Sequence, residues 1–342
     1  MKVLVALSGG VDSSVAAAEL VDAGHHVVGI TMRLWGGQSD TGCCSVADVD
    51  DARRVAQQLD IDHLVFNFSE DFDEHVVDPY VRAHSEGLTP NPCIECNRHL
   101  KFNRLSERAD LLGFDAIATG HHARINKVGD RHFVHRGADS AKDQSYVVHM
   151  LPQRELGRTL FPVGHLTKAQ VRDRATTLGL RTADKPDSQD VCFITHTGGR
   201  ESFLGARIPF RKATVVDSAG TVLGDVPAIE MVTLGQRRGI GLPGGGPKRY
   251  VTAIDHATAM VTVGKEADLD CDQLMVGDLV WADEPYGGEV MVQCSAHGAA
   301  VPAQLHGSVV RWHSQQRRVA PGQSVVFFDQ TDSYVLGGGI AR

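Results

Sequence analysis

The stretch Val3-Leu4-Val5-Ala6-Leu7-Ser8-Gly9-Gly10-Val11-Asp12-Ser13-Ser14 determines how the first half of this chain folds. Its leading apolar residues predict a strand that is buried on both faces, as in a parallel sheet. The two glycines permit backbone with positive φ, which turns N–H groups into a concave anion cradle. The serine pair opens a helical run that ends at Gly24. Strand, glycine turn and helix N-terminus together predict a phosphate site, because unpaired N–H groups and the positive end of the helix dipole face the anion.

This loop is not a Walker loop, because no lysine precedes its serines. It matches Ser-Gly-Gly-x-Asp-Ser and therefore resembles the pyrophosphate loop (PP-loop) of ATP pyrophosphatases. Those enzymes split ATP into AMP and pyrophosphate and place AMP on a substrate oxygen. The alternative interpretation is a plain glycine-rich turn between a strand and a helix.

The length of 342 residues predicts two or three domains, and 42% hydrophobic residues suffice for sizeable cores. No apolar run approaches the roughly 20 residues of a membrane span, so we expect no membrane partner. The chain enters a strand soon after Met1, without a recognisable signal peptide. Seven cysteines, an odd number, argue against a secreted disulfide framework and favour a reducing, cytoplasmic location. The net charge of −8 counts mildly against nucleic acid, although local patches matter more.

Strands and helices alternate over the first half of the sequence. Strands are predicted at 27–32, 64–68 and 115–119, and helices at 44–59 and about 70–85. A hairpin is predicted at 126–136, and a capping box formed by Thr167 and Gln170 begins a helix that stops at Gly179. The alternation predicts an α/β fold with a doubly wound parallel sheet, which binds ligands at the carboxyl ends of its strands.

From about Phe203 to the end, short β-rich runs alternate with Gly and Pro, which is typical of a small β sheet or barrel. Breaks near Arg200 and within 264–272 divide the chain into domains at 1–200, 201–266 and 267–342. The predicted strands are Ala213–Val216, Glu230–Leu234, Tyr250–Ile254, Met260–Val263, Leu279–Ala282, Val290–Cys294, Val309–Trp312, Val325–Phe328 and Tyr334–Gly337.

Two cysteine-containing stretches indicate chemistry. In Asn91-Pro92-Cys93-Ile94-Glu95-Cys96-Asn97, basic residues follow the cysteines, and basic surroundings lower a thiol pKa. Half of a structural zinc site is the alternative, although the chain has no second Cys-x-x-Cys. In Asp187-Ser188-Gln189-Asp190-Val191-Cys192-Phe193-Ile194, a lone cysteine before Phe-Ile is, by itself, more typical of a buried core.

Taken in order, six motifs resemble those of the bacterial tRNA-specific 2-thiouridylases, the MnmA family, over essentially the whole chain. They are Ser8–Ser13, Asn91-Pro92-x-x-x-Cys96-Asn97, Thr119-Gly120-His121-x-Ala123-Arg124, Lys142–Tyr146, Ser188–Ile194 and Thr233-x-Gly235-Gln236-Arg237. The resemblance implies a PP-loop ATP pyrophosphatase domain (adenine nucleotide alpha hydrolase-like), then two small β-rich domains, the last a β-barrel.

The resemblance also implies the reaction and its nucleotide. The family replaces O2 of the wobble uridine in tRNAs for Lys, Glu and Gln with sulfur, after ATP-dependent adenylation of that oxygen. ATP would be bound with Mg²⁺, for which Asp12 is the candidate ligand. The implied nucleotide contacts are Ala6, Leu7, Ser8, Gly9, Gly10, Val11, Asp12, Ser13, Met32 and Gly120.

For sulfur, the resemblance implies a persulfide on Cys192, supplied by a cysteine desulfurase or a sulfur-relay protein, with Cys96 as its catalytic partner. A Cys96–Cys192 disulfide would then be left for a reductant to reset. Some family members have Asp at position 93, so Cys93 opens an alternative. Cys93, Cys96 and Cys192 would suit a [4Fe–4S] cluster that binds sulfide.

For tRNA, the resemblance assigns Asn91, Pro92 and Cys93 to the target base. Other implied tRNA contacts are His121, Lys142, Asp143, Gln144, Arg311, Trp312 and Gln323. We interpret the Cys43-Cys44 pair as structural. Two rival functions are a different PP-loop synthetase acting on a small molecule, and a non-catalytic zinc or iron–sulfur protein that binds tRNA.

Overall fold

The structure, a computed structural model, describes residues 1–34, 46–187, 191, 193–194, 198–242 and 246–342. The predictions for Cys43, Cys44 and Cys192 therefore lie outside the described residues. Within the described ranges, no helix is both long enough and apolar enough to cross a membrane.

Strands and helices are numbered in chain order. The strands are β1 (Lys2–Ala6), β2 (His26–Arg33), β3 (Asp62–Asn67), β4 (Ala116–Ala118), β5 (Ala123–Val128), β6 (Arg131–Arg136), β7 (Thr159–Leu160), β8 (Ala213–Asp217), β9 (Val222–Val226), β10 (Tyr250–Asp255), β11 (Met260–Gly264), β12 (Asp270–Trp281), β13 (Gly288–Gln293), β14 (Val301–His306), β15 (Val309–Arg317), β16 (Ser324–Phe328) and β17 (Val335–Ala341). The α-helices are α1 (Val11–Asp22), α2 (Val46–Gln58), α3 (Ser69–Phe72), α4 (Asp78–Ser85), α5 (Pro92–Glu95), α6 (Leu105–Leu111), α7 (Gln153–Leu156), α8 (Lys168–Thr177) and α9 (Gly199–Gly205).

The predicted parallel sheet is present, in the order β3-β2-β1-β4-β7. Leu4 of β1 lies opposite Val28 on one side and Ile117 on the other. Alternate residues of β1 pack into different cores, Leu4 on one face and Val3 on the other, so the strand is buried on both faces. The strand order reverses between β1 and β4. The loops after these two strands therefore border the crevice in which such sheets bind ligands.

The predicted helix at 70–85 is present, but it is not regular. A π-helical segment, Asp73–Val77, separates α3 from α4, and a longer one, Cys96–Arg104, separates α5 from α6. Such segments are uncommon and are found mainly at functional sites. The longer segment begins at Cys96, a predicted catalytic residue.

The predicted hairpin and the predicted capping box are both confirmed. β5 pairs with β6 around a tip at Gly129. The Thr167 hydroxyl accepts from the Gln170 N–H, and the Gln170 side chain accepts in return from the Thr167 N–H. The helix begun by this cap, α8, is followed by Gly179 in the left-handed region.

A four-stranded sheet, β10-β11-β8-β9, follows. The prediction of a strand at Glu230–Leu234 is wrong, because Ile229–Met231 form a single 3-10 turn. Glu230 explains the difference. Its carboxylate accepts from the Arg211 backbone N–H at 3.1 Å and from Arg211 Nε at 2.8 Å, which fixes a buried turn in place of an extended strand.

The last strands form the predicted closed barrel, in the order β12-β15-β14-β13-β16-β17. The barrel is joined to the first domain by buried and partly buried polar contacts. The Tyr146 hydroxyl donates to the Ser324 carbonyl at 2.8 Å. Arg136 reaches Gln293 Oε1 at 2.7 Å and Asp332 Oδ1 at 3.1 Å, with its guanidinium over the Phe328 ring.

Candidate active site

The loop after β1 has the geometry of an anion site. Gly9 has a φ of +71°, in the left-handed region that glycine adopts without strain. The Ser8 N–H donates to Ser13 Oγ at 3.2 Å, and Ser13 Oγ donates to the Gly10 carbonyl at 3.0 Å. These bonds close the loop over the start of α1. The first N–H groups of a helix have no acceptor within it, and here they begin at Val11 and open toward the crevice.

Two glycines allow other chain segments to approach this loop closely. A Cβ on Gly9 would lie 2.5 Å from the Asp48 carbonyl oxygen. A Cβ on Gly120, which follows β4, would lie 2.6 Å from the Ser13 nitrogen. Gly120 therefore rests against the first turn of α1 and has a structural reason to be glycine. Met32, in β2, is buried in the same core as Ala6 and Cys96.

The Asp12 carboxylate is held by two side chains from distant parts of the chain. Lys168 Nζ lies 2.7 Å and 2.8 Å from its two oxygens, and His122 Nε2 lies 3.0 Å from one of them. Burial raises the pKa of Asp12, but the hydrogen bonds from His122 and Lys168 outweigh it, so the pKa lies below its ordinary value. The loop therefore carries an ionised carboxylate with a lysine beside it.

Lys168 also contacts a second carboxylate. Its Nζ lies 2.9 Å from Asp187 Oδ1, while Lys142 Nζ lies 2.8 Å from Asp187 Oδ2. Arg172 also donates to Asp187, at 2.7 Å. Burial raises the pKa of Asp187, but hydrogen bonds from Lys142 and Lys168 hold it far below its ordinary value. A chain of ion pairs thus runs from Asp12 through Lys168 and Asp187 to Lys142.

Sequence reasoning missed Lys168, His122 and Asp187 as parts of this site. One signal was available for Lys168. It occupies the first position of α8, directly after the Thr167 cap, where the helix dipole disfavours a cation. A lysine in that position indicates a nearby anion, and Asp12 is that anion.

Three of the predicted tRNA contacts are engaged within the protein, and one of them, His121, is buried. His121 is 7% exposed and its Nδ1 lies 2.6 Å from Thr119 Oγ1, with burial holding its pKa well below the ordinary value. The Asp143 carboxylate accepts from Arg136 at 2.9 Å and from the Ser145 hydroxyl at 2.6 Å. Gln144 Oε1 accepts from the His122 N–H at 2.8 Å. These hydrogen bonds of His121, Asp143 and Gln144 hold the segment around His122 in position.

Asn91, Pro92 and Cys93, which are predicted to contact the target base, lie at the start of the short helix α5. Asn91 Oδ1 accepts from the Cys93 N–H at 3.1 Å and caps α5. Cys93 is exposed and Cys96 is 8% exposed. Three residues apart on one helical segment, the two cysteines lie on the same face. The Asn97 side chain donates to the Val147 carbonyl at 2.8 Å and fixes the segment to the protein interior.

Phe193, which follows Cys192 in the sequence, is described and buried. Its ring packs edge-on against Phe72, at a centroid distance of 5.6 Å, and against Tyr80, at 5.4 Å. It also lies 5.1 Å from the Phe203 ring. Phe193 belongs to the same hydrophobic cluster as Cys96, and the partly buried Val191 packs against that cluster.

The predicted contacts in the barrel lie in three different environments. Arg311 is exposed, whereas Trp312, the next residue of β15, is 9% exposed and packs into the barrel core. Gln323 Nε2 donates to the Thr89 carbonyl at 2.8 Å, two residues before Asn91. Of these three, Arg311 is the one whose side chain is presented to solvent.

Within the described ranges, no cluster of three or more His, Cys, Asp or Glu side chains has the arrangement of a metal site. The loop fits a nucleotide polyphosphate, because its glycines leave a cradle of N–H groups and Lys168 supplies a cation. Asp12 fits Mg²⁺, which proteins commonly bind through one or two carboxylates together with substrate phosphates. The cluster alternative needs Cys192, which lies outside the described residues.

Comparisons with known proteins identify the family of this chain. The tRNA-specific 2-thiouridylase MnmA of Mycobacteroides abscessus is 45% identical over 99% of this chain and 99% of its own length. The same enzyme of Mycolicibacterium gilvum is 47% identical over 100% of this chain and 99% of its own. The chain belongs to the MnmA family. The relatives are named as tRNA-specific 2-thiouridylases, and the chain is an enzyme of that family.

Three family models match this chain in succession. They are the tRNA methyl transferase HUP domain at 1–196, the tRNA methyl transferase PRC-barrel domain at 201–265 and the aminomethyltransferase beta-barrel domain at 271–341. A solved 4-thiouridine synthetase–RNA complex with bound ATP is also similar. It is 18% identical over 56% of this chain and 44% of that chain, with a TM-score of 0.38, and is too distant to carry an argument.

Proposed function

We propose that this enzyme is a tRNA-uridine 2-sulfurtransferase, which converts the wobble uridine of tRNAs for Lys, Glu and Gln to 2-thiouridine. The observation that carries the proposal is the Ser8–Ser13 loop at the sheet's switch point, with Lys168 held against Asp12, in a chain of the 2-thiouridylase family. A loop of this kind serves adenylation. A uracil carbonyl oxygen is a poor leaving group, whereas AMP is a good one.

In the first step, uridine O2 attacks the α-phosphorus of ATP. The bond between the α-phosphorus and the bridging oxygen breaks, and pyrophosphate leaves. The loop N–H groups and Lys168 would hold the phosphates, and Mg²⁺ on Asp12 would offset charge on the leaving pyrophosphate. The proposed nucleotide contacts are Ala6, Leu7, Ser8, Gly9, Gly10, Val11, Asp12, Ser13, Met32, Gly120 and, from the geometry, Lys168.

In the second step, the terminal sulfur of a Cys192 persulfide attacks C2 of the adenylated base and AMP leaves. The Cys96 thiolate then attacks Cys192 Sγ, which releases the 2-thio group and leaves a Cys96–Cys192 disulfide. The bond between Cys192 Sγ and the outer sulfur breaks as the disulfide bond forms, so Cys96 is oxidised as the outer sulfur is reduced, and two external thiols must reduce the disulfide. A cysteine desulfurase or sulfur-relay protein would supply the persulfide. The placement of Cys96 and Phe193 in one cluster supports this pairing.

A [4Fe–4S] cluster on Cys93, Cys96 and Cys192 is the alternative route for the same reaction. The common face of Cys93 and Cys96 favours it as a second candidate. In that case a cluster-bound sulfide would supply the sulfur, and the Cys96–Cys192 disulfide would not form.

For tRNA, Lys142 and Arg311, whose side chains are exposed, would meet phosphates. Asn91, Pro92 and Cys93 would meet the target base, which must leave its stack to react. His121, Asp143, Gln144, Trp312 and Gln323 would act mainly by holding these segments in position, because their polar groups or rings are engaged within the protein.

The test is formation of 2-thiouridine in an unmodified tRNA for Glu, under anaerobic conditions with ATP, Mg²⁺ and a sulfur donor. We expect thiolation by the wild type and by the matched control Cys271→Ala, whose cysteine lies in the barrel. We expect none by Cys192→Ala. Equal thiolation by Cys192→Ala would overturn the proposed sulfur route. Iron–sulfur absorption in the active wild type would replace the persulfide route with the cluster route.

A further inference from the structure

Asp187 is shared between two lysines that face in different directions. Its Oδ1 lies 2.9 Å from Lys168 Nζ and its Oδ2 lies 2.8 Å from Lys142 Nζ. The Lys168 side chain is 12% exposed and lies against the PP-loop, whereas the Lys142 side chain is 44% exposed. One carboxylate thus connects an inward cation at the nucleotide site with an outward cation at the surface.

Every donor of Lys168 is already used. An ammonium group has three N–H donors, and the neighbours of this one are two Asp12 oxygens and Asp187 Oδ1. A phosphate that binds Lys168 must therefore displace a carboxylate. In the same way, a phosphate that binds Lys142 draws it away from Asp187. Where the carboxylate displaced from Lys168 is Asp187, which it meets through one oxygen, rather than Asp12, which it meets through two, each of the two events removes a cation from the same partly buried carboxylate.

We propose that Asp187 is a positioning residue that couples the nucleotide site to the tRNA site, with each anion weakening the other. The inference rests on the proposed function, which places tRNA at Lys142 and pyrophosphate at Lys168. The first ligand leaves Asp187 with one lysine and Arg172. The second leaves it with Arg172 alone, which costs more, because a partly buried carboxylate is destabilised as its cations leave.

The functional consequence concerns the leaving group. Once tRNA is held at Lys142, Asp187 competes more strongly for Lys168, and pyrophosphate is bound less tightly. Adenylation on the docked tRNA is thereby followed by faster release of its product. Binding linkage is reciprocal, so pyrophosphate must weaken tRNA binding by the same factor.

The experiment measures the dissociation constant of inorganic pyrophosphate with Mg²⁺, for enzyme alone and for enzyme saturated with an unmodified tRNA for Glu. In the wild type, we expect tRNA to raise this constant about fivefold or more. In Asp187→Asn, we expect pyrophosphate to bind more tightly than in the wild type when tRNA is absent. Addition of tRNA should change the dissociation constant of this variant by less than about twofold. The matched control is Asp225→Asn, which breaks an exposed ion pair with Lys212 and should behave as the wild type.

Lys142→Gln removes the outer lysine and should also bring the tRNA effect below about twofold, even if Asp187→Asn fails to fold. If tRNA leaves the pyrophosphate dissociation constant of the wild type unchanged, the coupling is overturned. It is also overturned if both variants show the same ratio of constants, with and without tRNA, as the wild type. In either case thiolation and tRNA binding would persist, so the proposed function would stand. Failure of the wild type to bind tRNA at all would overturn the proposed function, and the coupling with it.

Discussion

Lys168 Nζ lies within 2.8 Å of both carboxylate oxygens of Asp12, although the two residues are 156 positions apart in the sequence. The pair joins the first turn of α8 to the first turn of α1. Both helix N-termini therefore point toward the same crevice. The N-termini of two helices and the Lys168 ammonium therefore bring positive charge beside the carboxylates of Asp12 and Asp187, in a chain whose net charge is −8.

Lys168→Met should lower the rate of tRNA-dependent AMP formation by about a hundredfold, because it removes a cation from the charge that develops on pyrophosphate. Lys168→Arg should recover part of the loss, mainly in kcat. The measurement is kcat and KM for ATP, with thermal unfolding to show that the variants are folded. Lys212→Met, at an exposed lysine of the second domain, should retain wild-type kinetics. Wild-type kcat in Lys168→Met would contradict a role in the reaction.

Gly120→Ala should weaken nucleotide binding and destabilise the first domain by about 1–3 kcal/mol. The added Cβ would lie 2.6 Å from the Ser13 nitrogen, so the start of α1 must shift. The check is the dissociation constant of ATP together with the urea unfolding midpoint. Gly246→Ala is the matched control, since a Cβ there meets nothing within 4 Å. Equal losses in the two variants would show that the close approach at Gly120 is unimportant.

Acid should destabilise the fold partly through His149. Burial, opposed by a hydrogen bond to the Tyr146 carbonyl, lowers the pKa of His149 to about 4 from its ordinary value of 6.5. The unfolded chain therefore binds more protons between these two values, and stability falls as the pH drops from 6.5 to 4. The contribution amounts to about 3 kcal/mol.

The measurement for His149 is the change in unfolding free energy between about pH 7 and about pH 4.5. His149→Gln should lose less stability over that interval than the wild type. His26→Gln, at an exposed position of β2, should show the wild-type loss. An identical pH dependence in all three proteins would contradict the assignment to His149.

Arg136→Leu should destabilise the protein by about 3–5 kcal/mol and loosen the barrel from the first domain. The change leaves the Asp143 carboxylate without its cation and removes the bond to Gln293. Unfolding midpoint and susceptibility to proteolysis would both report it. Arg342→Leu breaks an exposed ion pair with Asp278 and should cost at most about 1 kcal/mol. A cost for Arg136→Leu as small as this would show that the junction does not depend on Arg136.

Features set by local sequence were predictable. Strand β1, the turn at Gly9 and the cap at Thr167 each follow from residues within a few positions of one another. Strand β14 was missed because Pro302 interrupts its pattern. In the structure Pro302 pairs with Met291 of β13 and lies just before the residues that pair with β15.

Site features that depend on distant contacts were not predictable. No local pattern joins Lys168 to Asp12, and the π-helical segment at Cys96 has no sequence signature that we used. The alternation of apolar and polar residues along β15 does indicate which side chains face the barrel core. Val310 and Trp312 face the barrel core, so Arg311 between them must face outward.

The bond from Gln323 to the Thr89 carbonyl is matched by one from the Thr89 N–H to the Pro321 carbonyl, at 2.8 Å. Both backbone polar groups of Thr89, two residues before Asn91, are therefore hydrogen-bonded to the barrel domain. This pairing fixes the start of the segment predicted to contact the target base, so the barrel can position that segment without itself touching the base.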